Sequence, residues 1–138
     1  MNLRTVILIL LATALSACSS LGLTKATNLE QQVVYGYSAV TASLNTLAAA
    51  TNAGLVNSSE ATQINSDLLI AKAQLDQAIT LVCGAPPPAT GTDTSGYCPT
   101  PTDSPSAPAI IATATSALTS ISSYFACKQA KEASCPLP

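Results

Sequence analysis

Residues 47–69, LAAATNAGLVNSSEATQINSDLL, decide the fold. Gly54 is the stop expected just past a helix end, because glycine adopts the left-handed conformation without a steric penalty. Asn57, followed three residues later by Glu60, is the capping-box signature of a new helix. Since only residues 54–57 separate the two signals, the flanking helices are predicted to be antiparallel neighbours.

Apolar side chains recur at helical spacing on both sides of this turn. The stripe of the first helix comprises Val33, Tyr37, Val40, Leu44, Leu47 and Thr51. The stripe of the second comprises Ala61, Ile64, Leu68, Ala71, Leu75, Ala78 and Val82. The first helix is also rich in alanine, the best helix former. The sequence therefore predicts a helical hairpin over residues 28–83.

Prolines interrupt the helical pattern after the hairpin. They are Pro86, Pro87, Pro88, Pro99, Pro101, Pro105 and Pro108. Because proline fixes φ and has no backbone N–H, residues 84–108 are predicted to be a loop with polyproline stretches.

A third helical stripe follows this loop, within residues 109–138. It comprises Ile111, Ala114, Leu118, Ile121 and Phe125. Pro108 suits the first turn of this helix. Residues 104–127 carry no charge, which raises the alternative of a membrane span. One face is nevertheless made hydrophilic by Thr113, Thr115, Ser116, Thr119, Ser120, Ser122 and Ser123. The predicted fold class is all-α: an antiparallel helical hairpin extended to a small three-helix bundle, with a Pro-rich, disulfide-closed loop.

The N-terminus has the three parts of a secretory signal. Arg4 is the positive start, residues 6–12 are apolar, and residues 15–17, Leu-Ser-Ala, narrow to small side chains before Cys18. Such a segment is too short to be a spanning helix. The alternative to a lipidated Cys18 is an ordinary secretory signal in which this cysteine is incidental.

Leu15-Ser16-Ala17-Cys18 resembles the lipobox of bacterial lipoprotein signals. The resemblance implies cleavage of residues 1–17, diacylglycerol on the Cys18 sulfur and usually a further acyl chain on the new amine. Residues 18–27 would then be the lipidated cysteine and its tether to the membrane. Ser19 stands where inner-membrane lipoproteins of this kind often have Asp, which implies a periplasm-facing outer-membrane location if the source is Gram-negative.

Four cysteines remain once Cys18 is set aside, and an even count in an exported chain predicts two disulfides. In an antiparallel third helix, Cys127 lies far from Cys83. Cys83–Cys98 and Cys127–Cys135 are therefore the predicted pairs, whereas a parallel third helix would allow Cys83–Cys127. Spacings of 15, 29 and 8 and the absence of histidine argue against zinc. We expect no metal and no cofactor.

Charge and residue types also limit the function. Only 9% of residues are charged, against about 25% in an average soluble domain. No basic patch exists to contact phosphates, so nucleic acid is not an expected partner. Asp67 and Asp76 are predicted to be separate, solvated helix-face charges. Because titratable groups do not converge and no nucleophile elbow occurs, we expect neither catalytic residues nor an enzyme.

Tyr35, Gly36 and Tyr37 are the candidate partner contact, with Gly36 as a point of close approach. The alternative places Tyr37 in the core stripe and leaves Tyr35 half exposed. The sequence between Glu30 and Glu60 carries no charge, so self-association or docking to an envelope protein is a further hypothesis.

The overall layout loosely resembles small lipoproteins found in bacterial genomes and often in prophages. The resemblance implies a lipid-anchored, non-catalytic helical module of the cell envelope that acts by binding or spacing. Two alternatives are phage-encoded: an outer-membrane spanin subunit that acts in lysis, and a superinfection-exclusion lipoprotein.

Overall fold

A computed structural model describes residues 28–84, 104–132 and 134–138. These residues form three helices: α1 (Leu29–Asn52), α2 (Ser58–Cys83) and α3 (Ala107–Gln129). The predicted all-α class is confirmed. The third helix begins two residues earlier than predicted, and Pro108 lies in its first turn, where a missing N–H costs no helical hydrogen bond.

The predicted signals at the hairpin turn are present in the structure. Gly54 has φ +69°, which a residue with a side chain adopts only at a cost. The Asn57 side chain accepts a hydrogen bond from the Glu60 N–H at 3.0 Å, and the Glu60 carboxylate accepts one from the Asn57 N–H at 2.9 Å. This reciprocal capping box begins α2.

The helices run up, down and up. Glu60 at the start of α2 forms an ion pair with Lys128 at the end of α3, and Val82 at the end of α2 packs near Ala107 at the start of α3. Each helix contacts both others. The antiparallel third helix is thus confirmed, and α1 and α3 lie parallel to each other.

The cysteines agree with this topology. Cys127 and Cys135 form a disulfide with their Cα atoms 5.7 Å apart, which confirms the predicted C-terminal pair and excludes Cys83–Cys127. Cys83 is also disulfide-bonded. Its predicted partner, Cys98, lies outside the described residues, as do most of the Pro-rich loop and residues 1–27 with Cys18.

The buried residues of α2 and α3 match the predicted stripes closely, whereas the buried residues of α1 differ from its predicted stripe. Leu44 is 38% exposed and Thr51 is exposed, contrary to the prediction. The buried face of α1 instead comprises Val33, Gly36, Ala39, Val40, Ser43, Leu47 and Ala50. Small residues occupy most of this face because they allow the backbones of α1 and its neighbours to approach closely.

One described helix, α3, is long and apolar enough to cross a membrane by length and composition alone. Its apolar stripe from Ile111 to Phe125 is buried against α1 and α2. In this structure α3 therefore serves as a core helix of the bundle.

Candidate functional site

The candidate contact on α1 is used partly inside the bundle. Gly36 is buried, and a Cβ atom there would lie 2.6 Å from the Leu75 Cδ2 atom. Gly36 is therefore a point of close approach, but to α2 of the same chain. Tyr37 is half-buried against the core, and Tyr35 is half-exposed. A contact of Tyr35 with a partner stays a prediction.

Tyr37 belongs to a polar cluster between α1 and α2. Its hydroxyl donates to Asp76 Oδ1 at 2.5 Å, and Lys72 forms an ion pair with Asp76 at 2.8 Å. The Lys72 ammonium also lies 5.8 Å from the centre of the Tyr37 ring, within cation–π range. Asp76 is thus not a free solvated charge, as the sequence suggested, but a link between two helices.

A second polar cluster joins α2 to α3 at the opposite end of the bundle. Lys128 donates to Glu60 Oε1 at 2.7 Å and lies 5.4 Å from the centre of the Tyr124 ring. Hydrogen bonds from Lys128 and from the Asn57 backbone lower the pKa of Glu60, and the bond to Glu60 raises the pKa of Lys128. Burial raises the pKa of Tyr124. This cluster stabilises the bundle end as an ion pair.

A groove of about 320 Å³ lies between α2 and α3. Its lining residues are Asp67, Ile70, Gln74, Thr113, Ser116, Ala117, Ser120 and Pro138. Two of these residues also carry a buried oxygen without a hydrogen-bond partner among the described residues, Asp67 Oδ2 and Gln74 Oε1. The sequence offered no signal for this juxtaposition, because it depends on which turns of α2 and α3 lie side by side.

Two further grooves follow the other helix pairs and differ from this one in chemistry. The α1–α3 groove is lined by Gln32, Pro108, Ile111, Ala112, Thr115, Ser116, Thr119 and Ser120. The α1–α2 groove is lined by Leu44, Leu47, Ala48, Thr51, Asn52, Ala61, Thr62 and Asn65. Neither contains a charged side chain, so of these three grooves only the α2–α3 groove has a carboxylate.

The outer face of α2 is apolar in part and uncharged along much of its length. Leu69 is 56% exposed and Ile70 is 55% exposed, and the exposed positions around them are mostly Ser, Thr, Gln and Ala. The structure thus leaves an apolar patch of α2 exposed at Leu69 and Ile70.

Within residues 28–84, 104–132 and 134–138, no three His, Cys, Asp or Glu side chains cluster closely enough to hold a metal ion. The two ion pairs of the described residues are Lys72–Asp76 along α2 and Lys128–Glu60 between α3 and α2. The geometry thus offers structural polar clusters and one carboxylate-bearing groove. Comparisons of the chain with protein-family models, with curated proteins and with solved structures gave no match.

Proposed function

We propose that this protein is a small lipid-anchored, non-catalytic helical module of the bacterial cell envelope that acts by binding or spacing. One observation carries the proposal: Leu15-Ser16-Ala17-Cys18 follows directly after a positive start and an apolar run. Several acyl chains on one cysteine hold a protein firmly on a bilayer, because each buried methylene contributes about 0.8 kcal/mol.

The arrangement of the bundle supports the proposal. Helix α1 begins at Leu29, so about ten residues would separate the lipidated Cys18 from the folded domain. An extended segment of that length reaches roughly 35 Å. The 24 residues of α1 add about 36 Å in length. An anchored bundle would thus present its far end, with the turn at Gly54 and the Cys127–Cys135 loop, well away from the membrane surface.

The way in which the charged side chains pair within the bundle supports a binding or spacing role rather than catalysis. Lys72 and Lys128 each pair with a carboxylate of the bundle. The exposed positions of α3 up to Ala126 are Ala, Ser, Thr and Pro, without a charged side chain. A surface of hydroxyl and methyl groups can pack against a partner or a copy of itself without a large desolvation cost.

Metabolic labelling tests the lipid anchor. Bacteria expressing the full chain should incorporate radiolabelled palmitate into it, and the protein should sediment with outer-membrane fractions. Cys18→Ser should abolish both the label and the membrane association. Ser19→Ala is the matched control, because it changes the adjacent residue and leaves the cysteine intact, so labelling should persist.

Ser19→Asp should keep the label but move the protein toward inner-membrane fractions, as the resemblance to lipoprotein signals implies. An unlabelled wild-type protein recovered in the soluble fraction would refute the proposed anchor.

A further inference from the structure

We propose that the Glu132 carboxylate protects the Cys127–Cys135 disulfide against reduction by negatively charged thiols, and that this bond holds a C-terminal strap, residues 134–138, on the bundle. The proposal concerns described residues and does not depend on the lipid anchor. The co-reactant is a small-molecule thiol, which supplies two electrons when two of its molecules join in a disulfide.

The end of α3 brings Glu132 back to Cys127. Lys131 has φ +55°, a left-handed conformation, so the chain turns there and the Glu132 N–H donates to the Cys127 carbonyl at 3.4 Å. The Glu132 Oε2 atom lies 3.5 Å from Cys127 Sγ, and the Ser134 carbonyl oxygen lies 3.6 Å from the same sulfur. One sulfur of the disulfide therefore has a carboxylate and a carbonyl dipole beside it.

This environment is open to solvent and has one charge against the sulfur. Cys127 and Cys135 are half-buried and Glu132 is exposed, so a small thiol can reach the bond. Lys128 pairs with Glu60, and Lys131 forms no ion pair among the described residues. Of the described charged side chains at this end of the bundle, Glu132 is the one in contact with the disulfide.

Thiol–disulfide exchange places negative charge at the Cys127 sulfur whichever sulfur is attacked. A thiolate bonds to one sulfur, the Cys127–Cys135 bond breaks, and the other sulfur leaves as a thiolate that takes up a proton. A second thiolate then attacks the mixed disulfide, which releases the second cysteine and the oxidised reductant. Attack on Cys127 brings the incoming charge to Glu132, and attack on Cys135 develops the leaving charge beside Glu132. Like-charge repulsion therefore slows both routes.

The protected bond fixes the strap to the bundle. Cys135 packs against the core, and Pro138 lines the α2–α3 groove together with Ile70. Among the described residues, no backbone hydrogen bond joins residues 134–138 to a helix. The disulfide and apolar contacts therefore hold the strap, and reduction should free it.

Reduction rates with two probe thiols test the protection. The exported full chain is treated at neutral pH and low salt with mercaptoethanesulfonate, whose thiolate form carries two negative charges, or with cysteamine, whose thiolate form has no net charge. Alkylation and peptide mapping then follow Cys127 and Cys135. At equal thiolate concentration, Glu132→Gln should accelerate reduction by mercaptoethanesulfonate about fivefold and reduction by cysteamine no more than about twofold. High salt should reduce this difference between the two thiols, because it screens exposed charges.

Matched variants separate charge from local structure. Glu132→Asp keeps the charge and should stay within about twofold of wild type, and Glu30→Gln removes a carboxylate at the other end of the bundle and should do the same. Lys131→Gln removes the neighbouring lysine, and Lys25→Gln removes a lysine that precedes the described residues; neither should accelerate the reaction. Equal acceleration of both thiols by Glu132→Gln, no acceleration, or acceleration by a control variant would overturn the protective role.

A double variant, Cys127→Ser with Cys135→Ser, tests the strap and leaves Cys83 intact. We expect a helical far-ultraviolet spectrum, changed amide shifts at Ile70 in the groove, and a Leu137 amide that becomes mobile on the picosecond-to-nanosecond timescale by NMR relaxation. A Leu137 amide as ordered as in wild type, with unchanged shifts at Ile70, would show that the strap stays in place without the bond and would overturn this part of the proposal.

Discussion

Glu60 joins three parts of the chain through one carboxylate. It accepts from the Asn57 backbone N–H to close the capping box of α2, and it accepts from Lys128 at the end of α3. A carboxylate at a helix N-terminus is also favoured by the helix dipole. The local half of this arrangement is readable from the sequence, because Asn57 and Glu60 stand three residues apart. The hydrogen bond with Lys128 joins residues 68 apart in the chain and cannot be read from the sequence.

The first prediction concerns the pH dependence that Glu60 contributes. Because the folded-state pKa of Glu60 lies below its ordinary value of 4.5, its contribution to stability is fully present above that pH. The contribution is lost as the pH falls through the lowered folded-state pKa. Urea unfolding measured from pH 6 down to pH 3 should therefore show a shallower loss of stability for Glu60→Gln than for wild type.

Glu30→Gln is the control for this comparison, since it removes one carboxylate at the other end of the bundle. Wild type and Glu60→Gln with superimposable acid profiles would contradict the role given to the ion pair. The stability that Lys128 contributes depends on pH in the opposite direction. Because its folded-state pKa is raised from the ordinary value of 10.5, this contribution is present below that pH and is lost as the pH rises through the raised pKa.

At the scale of the helices, α2 is the central element of the core. Its buried side chains from Ile64 to Val82 contact both α1 and α3. Gly36 of α1 lets Leu75 approach the α1 backbone, where any added Cβ atom would require the Leu75 side chain to move. The close α1–α2 contact also explains why α1 buries Ser43 and Ala50, while Leu44 lies at the edge of the interface.

The second prediction uses two adjacent leucines of α2. Leu68 is 1% exposed and Leu69 is 56% exposed, so they differ in burial but not in residue type or helix. Leu68→Ala should lower the free energy of unfolding by about 2–5 kcal/mol, because it leaves a cavity in the core. Leu69→Ala should change it by no more than about 0.5 kcal/mol.

Urea unfolding followed by far-ultraviolet circular dichroism measures both variants. Both native spectra should remain helical. Similar losses for the two variants would mean that Leu69 is covered in solution, and therefore that the outer face of α2 is an interface.

At the scale of the whole molecule, two features set the topology. The short turn at residues 53–57 makes α1 and α2 antiparallel, and residues 84–106 allow α3 to return alongside α2. The Cys127–Cys135 bond then closes only a local loop and does not join helices. Within the described residues, the helices are held together by the core, by the Lys128–Glu60 ion pair and by the Tyr37–Asp76 hydrogen bond.

The third prediction is the complete disulfide pattern. Non-reducing peptide mapping of the exported protein should link Cys127 with Cys135, as the structure shows, and Cys83 with Cys98. No free thiol should be detected in the mature chain if Cys18 carries lipid. A link between Cys83 and Cys18 would refute both the predicted pairing and the lipid anchor, since one sulfur cannot serve both purposes.

Local patterns were enough to predict much of the fold. The capping box at Asn57, the glycine at 54 and the apolar stripes of α2 and α3 depend on neighbours within a few residues, so the sequence determines them directly. The C-terminal disulfide also followed from the sequence, once α3 was taken as antiparallel.

Only the tertiary structure decided what the helices present to each other and to solvent. Apolar residues spaced three or four apart define the buried face of a helix only to within about one position. In α1 the close approach at Gly36 turns the buried face away from Leu44. The ion pair of Glu60 with Lys128, and the groove that gathers Asp67, Gln74 and Pro138, join residues far apart in the chain. Such contacts depend on the register between helices, which is set by side-chain packing over the whole core and not by any local motif.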